Sequence, residues 1–388
     1  MESTISIIDI IAISQGLFLG AMFLYMKRNR LPNRILGTLF IVICLAFLGE
    51  YLMMNNYISS RWILVVFIIP TFFLHGSLIY LYTASMTGDM QRFVKKTVLH
   101  FVPYIVVQST FLVLFTLYKT GIIRGEWHSE MYVLGYTTAA TGISLEFIYT
   151  LVSWRLLFRY SQRIREYFSD IHRVSLRWLQ VFLGIIFLIS TIGVIVFQVR
   201  AFVGRYHDIM EVFRLLNHLL LVLVFFTSAF FMIHRPQIFS EERTSIFDAY
   251  SDRVMLSSDS SIKYAKHSLD GETKKQIREK LLRVMDEKKP FLEDSLTLKD
   301  LADELGVFAH HLSIVINSEF DRNFYNFINT YRIQYCMDLL KDPHKKDSNV
   351  LNLALESGFN SKTTFNTMFK KITGTTPTTY RKSLLFKK

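Results

Sequence analysis

Cysteine is nearly absent from this 388-residue sequence, and several motifs of enzyme chemistry are missing altogether. The two cysteines, Cys44 and Cys336, lie in an apolar run and in a polar helix, so we predict no disulfide between them. The sequence has no phosphate-binding glycine loop, no CxxC pair and no nucleophile elbow. His310 and His311 are adjacent, and adjacent side chains on a helix point in different directions. We therefore expect no enzyme activity, no cofactor and no metal site.

The N-terminus lacks the basic residues and the small-residue cleavage site of a secretory signal peptide. Its first apolar run is therefore interpreted as a retained membrane helix. A helix needs about 20 apolar residues to cross a bilayer. We predict an all-α chain whose residues 1–234 form a seven-helix transmembrane bundle. The predicted crossings are residues 5–26, 35–54, 62–84, 97–118, 136–158, 178–198 and 214–233.

Basic residues are unevenly distributed among the loops that join these runs, in a chain of formal net charge +12. The loops after the first, third and fifth runs hold about twice as many Lys and Arg residues as the opposite loops, and basic loops stay on the cytoplasmic side. This bias predicts an outer N-terminus and a cytoplasmic C-terminus. With the N-terminus outside, an odd number of crossings such as seven places the C-terminal part in the cytoplasm.

Several polar side chains fall within the apolar runs, where a charge is costly and often has a function. Glu146 lies in the middle of the fifth run and is the strongest candidate for sensing a ligand. Four others fall toward the outer ends of their runs, where they can line a pocket: Glu50, Gln198, Asn217 and His218. The alternative is hydrogen bonding between helices that only fixes their packing. The sequence favours this alternative for each residue taken singly.

The chain becomes polar after residue 234. Residues 235–271 lose the helical periodicity and are predicted to form a cytoplasmic linker with a serine-rich run. Helical spacing returns over residues 272–288, at the start of a second domain that we assign to 272–388. This helix either packs on its own domain, which we favour, or pairs with a second chain in a homodimer.

Two helix-turn-helix patterns follow, at about residues 297–319 and 349–372. In each, a short amphipathic helix ends at a glycine, Gly306 or Gly358, and a second helix begins shortly after it. Two such helices on a rigid connector can enter successive major grooves of double-stranded DNA, about 34 Å apart. The side chains assigned to DNA binding are His310, His311, Ser313, Ile314 and Asn317 in the first unit, and Ser361, Lys362, Thr363, Thr364, Asn366, Thr367, Lys370 and Lys371 in the second.

Three runs of this region resemble a known family. The run GFNSKTTFNTMFKKITGTTPTTYRK resembles the signature of the AraC/XylS family of bacterial transcription regulators. The run LTLKDLADELGVFAHHLSIVINSEF is similar to the first helix-turn-helix of that family, and NFYNFINTYRIQYCMDLL to its connecting helix. The resemblance covers about residues 280–384 and implies sequence-specific binding to promoter DNA. The whole arrangement is similar to a membrane-anchored variant with a multi-pass N-terminal domain, which implies a bacterial inner-membrane protein with its C-terminal domain in the cytoplasm.

The sequence departs from the family pattern at four positions. Phe308 replaces a serine that often caps the first recognition helix, and Asp321 replaces a glycine at the end of that helix. Ile314 and Thr367 replace polar or basic residues that contact bases or phosphates, although an isoleucine can touch a thymine methyl group. The main basic groups left on the second recognition helix are Lys362, Lys370 and Lys371.

The sequence thus predicts a membrane-embedded transcription regulator whose partners are promoter DNA, the lipid bilayer and an unknown small-molecule or membrane signal. A first alternative is a membrane transporter or receptor whose helix-turn-helix domain is an accessory interaction module. This alternative predicts paired charges within the membrane runs, and the sequence shows none clearly. A second is that the C-terminal domain has lost DNA reading, as Ile314 and Thr367 suggest. The basic C-terminus is also compatible with anionic lipid headgroups.

Overall fold

The computed structural model describes residues 2–27, 29–55, 57, 64–88, 94–122, 128–172, 174–203, 207–234 and 269–385. These residues are mostly helical and form no β-strand, in agreement with the predicted all-α class. The chain divides into two units, of which the first is residues 1–158 with 176–248 and the second is 159–175 with 249–388. The predicted linker lies outside the described residues as far as position 268.

The first unit is built from long helices. These are α1 (Glu2–Tyr25), α2 (Arg30–Met54), α3 (Phe72–Met86), α4 (Val102–Lys119), α5 (His128–Tyr167), α6 (Arg177–Val203) and α7 (His207–His234). A π-helical turn (Leu64–Ile68) and a 3-10 turn (Ile69–Thr71) precede α3, and a 3-10 segment (Val94–Phe101) precedes α4. Helix α5 is 40 residues long, and its last nine residues belong to the second unit.

Five stretches of the described helices are long and apolar enough to cross a membrane. They are Ile7–Tyr25, Arg30–Gly49, Val66–Met86, Thr97–Lys119 and Arg177–Val196, while Leu215–Phe231 is apolar but shorter. The predicted fifth crossing, residues 136–158, is not among them. Its part of α5 contains Glu146, Arg155 and several Thr and Ser residues, which lower its apolar content. Length and composition therefore support five of the seven predicted crossings.

Helices α1 and α2 pack closely through small residues. A Cβ atom added at Gly37 would lie 2.7 Å from the carbonyl oxygen of Gly20, and one added at Gly20 would lie 2.8 Å from the Ile41 side chain. Small residues allow two helix backbones to approach one another, which is a common way for helices to associate in a bilayer. This contact is internal to the first unit.

The second unit contains shorter, amphipathic helices. They are α8 (Gly271–Glu287), α9 (Leu298–Leu305), α10 (Ala309–Phe320), α11 (Phe324–Lys341), α12 (Val350–Glu356), α13 (Lys362–Thr373) and α14 (Pro377–Leu385). Two 3-10 turns, Pro290–Leu292 and Pro343–Lys345, lie between them. The helix pairs α9–α10 and α12–α13 are the two predicted helix-turn-helix units, and α11 is the predicted connector.

Helix α8 packs on its own domain. Its buried residues Ile277, Leu281 and Met285 join one hydrophobic core with residues of α9, α10 and α11, such as Leu301 and Val315. The apolar face of α8 is thus occupied within the same chain. This arrangement agrees with the alternative that the sequence favours, in which α8 packs on its own domain instead of pairing with a second chain.

Candidate DNA-binding surface

The first helix-turn-helix unit is set up by local hydrogen bonds at Thr297 and Gly306. Thr297 Oγ1 accepts a hydrogen bond from the Asp300 N–H (3.2 Å), and Asp300 Oδ2 accepts one from the Thr297 N–H (2.9 Å). This reciprocal capping satisfies two backbone donors at the start of α9. Gly306 ends the helix with φ +62°, a conformation that glycine adopts without steric cost. Both features follow from the sequence pattern.

The recognition helix α10 begins at Phe308, which provides no side-chain cap. The Phe308 ring is 70% exposed and stacks on the ring of His310, with 5.8 Å between the ring centroids. At the other end, Asp321 leaves the helix with φ +50°. The predicted consequences of both departures from the family pattern, a missing cap and an aspartate in the left-handed region, are therefore present in the structure.

Restoring the missing cap is expected to stabilise the first helix-turn-helix unit. Phe308→Ser should raise the free energy of local unfolding of α10 by about 1 kcal/mol relative to Phe308→Ala, because only serine can accept a hydrogen bond from the first turn. Hydrogen exchange of the α10 amides in the full chain measures this difference. Equal protection in the two variants would show that the first turn gains nothing from a serine at this position.

The second helix-turn-helix unit has a side-chain cap at the start of each of its helices. Asn349 Oδ1 accepts a hydrogen bond from the Leu351 N–H (2.9 Å), and Ser361 Oγ accepts one from the Thr364 N–H (3.3 Å). Gly358 makes the turn between the helices with φ +87°. Below the turn, Phe365, Met368 and Phe369 are buried, as their helical spacing predicts. The cap at Ser361 fixes where the second recognition helix α13 begins.

None of the residues assigned to DNA binding is buried. Asn317 of α10 is exposed, and so are most of the assigned residues of α13, which are Lys362, Thr363, Asn366, Thr367, Lys370 and Lys371. The remaining assigned residues are half-buried. They are His310, His311, Ser313 and Ile314 of the first helix-turn-helix unit, and Ser361 and Thr364 of the second helix-turn-helix unit. Each recognition helix therefore presents a polar face whose opposite face lies in the core.

The charge of this surface is carried by lysines. Burial lowers the pKa of both His310 and His311, and for His310 the neighbouring His311 adds to the shift, so both rings are neutral at pH 7. Lys371 Nζ donates a hydrogen bond to Asn326 Oδ1 of the connecting helix (3.1 Å), and Lys362 and Lys370 are exposed. Positive charge at neutral pH is therefore concentrated on α13.

The connecting helix α11 carries a buried arginine that no sequence motif indicates. The Arg332 guanidinium is 1% exposed and donates to the carbonyl oxygens of Phe291 (2.7 Å) and Glu293 (2.6 Å). Burial lowers its pKa to about 10, and the carboxylate of Asp170 opposes this shift. The side chain thus remains charged at pH 7 and fixes the loop between α8 and α9.

Residues 159–175, which fall in a predicted loop of the membrane half, also belong to the second unit. Ser169 is fully buried in the second unit, where its hydroxyl donates to Leu296 O (2.6 Å) and accepts from Arg332 Nη2 (3.1 Å). Asn329 Nδ2 donates to Ser169 O (3.0 Å). No sequence periodicity marks these contacts, because they join residues more than a hundred positions apart.

Two acid–histidine pairs are buried in the first unit. Glu146 Oε2 lies 3.3 Å from His75 Nδ1, and Glu146 Oε1 accepts a hydrogen bond from Ser190 (3.0 Å). Asp9 Oδ1 lies 2.6 Å from His218 Nδ1. Glu146 and His218 are both candidates for sensing a ligand, and the structure places them in separate pairs. Acid–histidine pairs, which the sequence does not show clearly, are therefore present within this unit.

The other candidate sensing residues do not form a common site in the described structure. Asn217 is half-buried next to His218, and its side-chain oxygen accepts no hydrogen bond from the described residues. The side chains of Glu50 and Gln198 lie outside the described part of the chain. The predicted pocket at the outer helix ends therefore stays a prediction.

Comparison with known proteins agrees with this geometry. Residues 301–383 match a family model described as a helix-turn-helix domain. The chain therefore carries a helix-turn-helix domain at its C-terminus. An uncharacterized HTH-type transcriptional regulator of Staphylococcus aureus strain COL is 31% identical over 104 residues, which cover 26% of this chain and 13% of that protein. A regulator of the same description from strain MSSA476 matches with the same identity and coverage.

One solved structure is similar to part of the chain. It is the structure of a protein of unknown function from Listeria innocua, 31% identical, and the match covers 27% of this chain and 95% of that one with a TM-score of 0.24. The matched part of the chain spans only 13% of the length of the curated relatives.

Proposed function

We propose that this protein is a membrane-embedded transcription regulator that binds promoter DNA sequence-specifically through α10 and α13. The observation that carries the proposal is the pair of helix-turn-helix units, each with a capped supporting helix and a recognition helix whose polar face is open. The names of the similar regulators support the same conclusion. Apolar helices long enough to cross a bilayer support a membrane location, with the C-terminal domain in the cytoplasm.

We further propose that the first unit senses a signal. An ionisable side chain buried among apolar helices is costly, and it often has a function such as binding a ligand or responding to a signal. The Glu146–His75 and Asp9–His218 pairs are the groups best placed for this role, because each joins two different helices. A signal that changes either pair would change the packing of those helices, and two packing states of the first unit are what regulation of DNA binding requires.

Charge reversal on α13 provides the direct test. In the full chain reconstituted in nanodiscs, Lys362→Glu with Lys370→Glu should weaken binding to promoter fragments at least tenfold, because each lysine is expected to bind a DNA phosphate. The slope of affinity against salt should also fall by about one for each phosphate that is no longer bound. Binding is measured by fluorescence anisotropy across a salt series, with a scrambled fragment beside each promoter fragment.

The matched control carries the same charge change elsewhere in the second unit. Lys274→Glu with Lys275→Glu on α8 should leave the affinity within about twofold, because α8 is not part of the proposed surface. Changes at His311 or Asn366 should alter the preferred sequence rather than the overall affinity. A wild-type chain with no sequence preference at low salt would contradict the proposal.

The alternative function, a membrane transporter or receptor with an accessory helix-turn-helix domain, is favoured by one observation. The two buried acid–histidine pairs are ionisable groups of the kind that line the transport paths of such proteins. A map of chromosomal occupancy for the full-length protein separates the two functions. Discrete occupied promoters support the regulator, and uniform background would leave the transporter or receptor as the better explanation.

A further inference from the structure

Residues 159–175 fold as part of the DNA-binding unit. Ile164, Phe168, Ser169 and Ile171 are all less than 10% exposed. Phe168 forms an isolated antiparallel bridge with Thr297, the N-cap of α9, and the Ser169 N–H donates to Leu296 O (3.2 Å). Tyr167 also packs against the hydrophobic core of the second unit. This segment, which we call the docking segment, therefore contacts its unit through the packing of Tyr167 and through backbone hydrogen bonding.

Two carboxylates of the docking segment reach the helix-turn-helix units. Glu166 Oε2 accepts a hydrogen bond from Asn317 Nδ2 (3.1 Å), and Asn317 is an exposed residue of α10 that is assigned to DNA binding. Asp170 Oδ2 accepts one from Asn360 Nδ2 (3.0 Å), and Asn360 directly precedes Ser361, the cap of α13. Each of the two helix-turn-helix units is thus held by one carboxylate.

These carboxylates occupy the chemical role of DNA phosphates. An asparagine amide beside a recognition helix commonly donates to a phosphate oxygen, and such contacts set the position of a protein on the duplex. An amide N–H that donates to a carboxylate is not free to donate to a phosphate. A carboxylate at the same place also repels the negatively charged duplex.

We propose that the docking segment is a built-in competitor of DNA, which has to leave Asn317 and Asn360 before both recognition helices can engage a duplex. The inference rests on the proposed function. Residues 159–167 are the end of α5, the same helix that carries Glu146 in the first unit. Glu146, the proposed sensing residue, and Glu166, which bonds to Asn317, therefore lie on one continuous helix.

Neutralising the two carboxylates tests the competition. In the full chain in nanodiscs, Glu166→Gln with Asp170→Asn should lower the dissociation constant for the preferred promoter fragment about fivefold to tenfold, because two charge-assisted hydrogen bonds that oppose DNA are weakened. The control is Glu279→Gln with Asp347→Asn, which removes the same charge from exposed positions of the same unit. We expect this control to change the constant less than twofold.

A second measurement reports release of the segment itself. Saturating promoter DNA should accelerate hydrogen exchange at the Ser169 amide of the wild-type chain, since that N–H is bonded to Leu296 only in the docked state. Unchanged or slower exchange, or equal dissociation constants for the carboxylate variant and wild type, would overturn the inference while leaving sequence-specific binding intact. If no variant prefers the promoter over a scrambled fragment, the proposed function fails and the competition fails with it.

Discussion

Replacing Gly358 by alanine is expected to destabilise the second helix-turn-helix unit by about 3 kcal/mol, through backbone strain and a steric clash. Gly358 has φ +87°, which an alanine adopts only with strain. A Cβ atom at this position would lie 2.4 Å from the carbonyl oxygen of Phe291 and 3.0 Å from Arg332 Nε. Both atoms belong to the same hydrogen bond, so the added methyl group can be accommodated only by displacing it.

Two other glycines separate these contributions. Gly374 has φ +76°, and no atom of the described residues lies within 4 Å of an added Cβ, so Gly374→Ala should cost only the backbone strain of about 1 kcal/mol. Gly271 has the same open surroundings without a positive φ, and Gly271→Ala should be neutral or slightly stabilising. Hydrogen exchange of the α12 and α13 amides in the full chain measures all three. Equal destabilisation by the Gly358 and Gly374 substitutions would contradict the close approach of Phe291 to Gly358.

Much of the second unit follows from local sequence. The capping serine or threonine, the glycine turn and the apolar stripe act over three or four residues, so Thr297, Gly306 and Ser361 predict the beginnings and ends of helices to within one or two positions. Capping depends on the side chain at a single position, so the absence of a cap at the start of α10 follows directly from Phe308 at that position. The assignment of exposed residues on α10 and α13 is equally local, because it depends only on which face of each helix is apolar.

The contacts that complete the unit do not follow from the sequence. Charged residues are rarely buried, so nothing in the periodicity of α11 indicates that Arg332 lies in the core. Ser169 and Asp170 lie in a short polar stretch that is typical of a loop. Their partners are more than a hundred residues away in the chain. In the first unit, His75 and Glu146 are 71 positions apart, so local sequence does not indicate their pairing either.

Arg332→Met is expected to cost about 3–5 kcal/mol, the range found when one partner of a buried charged network is removed. The guanidinium donates to Phe291 O, Glu293 O and Ser169 Oγ, and methionine can donate to none of them. The Phe291 carbonyl would be left without this donor, at a cost of about 1–3 kcal/mol, whereas the Glu293 carbonyl also accepts from the Leu296 N–H (3.4 Å). The Asp170 carboxylate would also lose its electrostatic interaction with the guanidinium. Arg332→Lys should be intermediate, because a lysine keeps the charge but lacks the planar fork of donors.

Arg322, an exposed residue just before α11, provides the matched control for Arg332. Arg322→Met should change the free energy of unfolding by no more than about 0.5 kcal/mol, because Arg322 is exposed. Hydrogen exchange also distinguishes the two roles of Arg332. Removal of its hydrogen bond to Ser169 should expose the Ser169 amide more than it exposes α13, whereas disruption of the core alone would affect the two alike. Stability of Arg332→Met within the range of the control would mean that the loop before α9 and the docking segment are held by the remaining hydrogen bonds, chiefly those of Asn329.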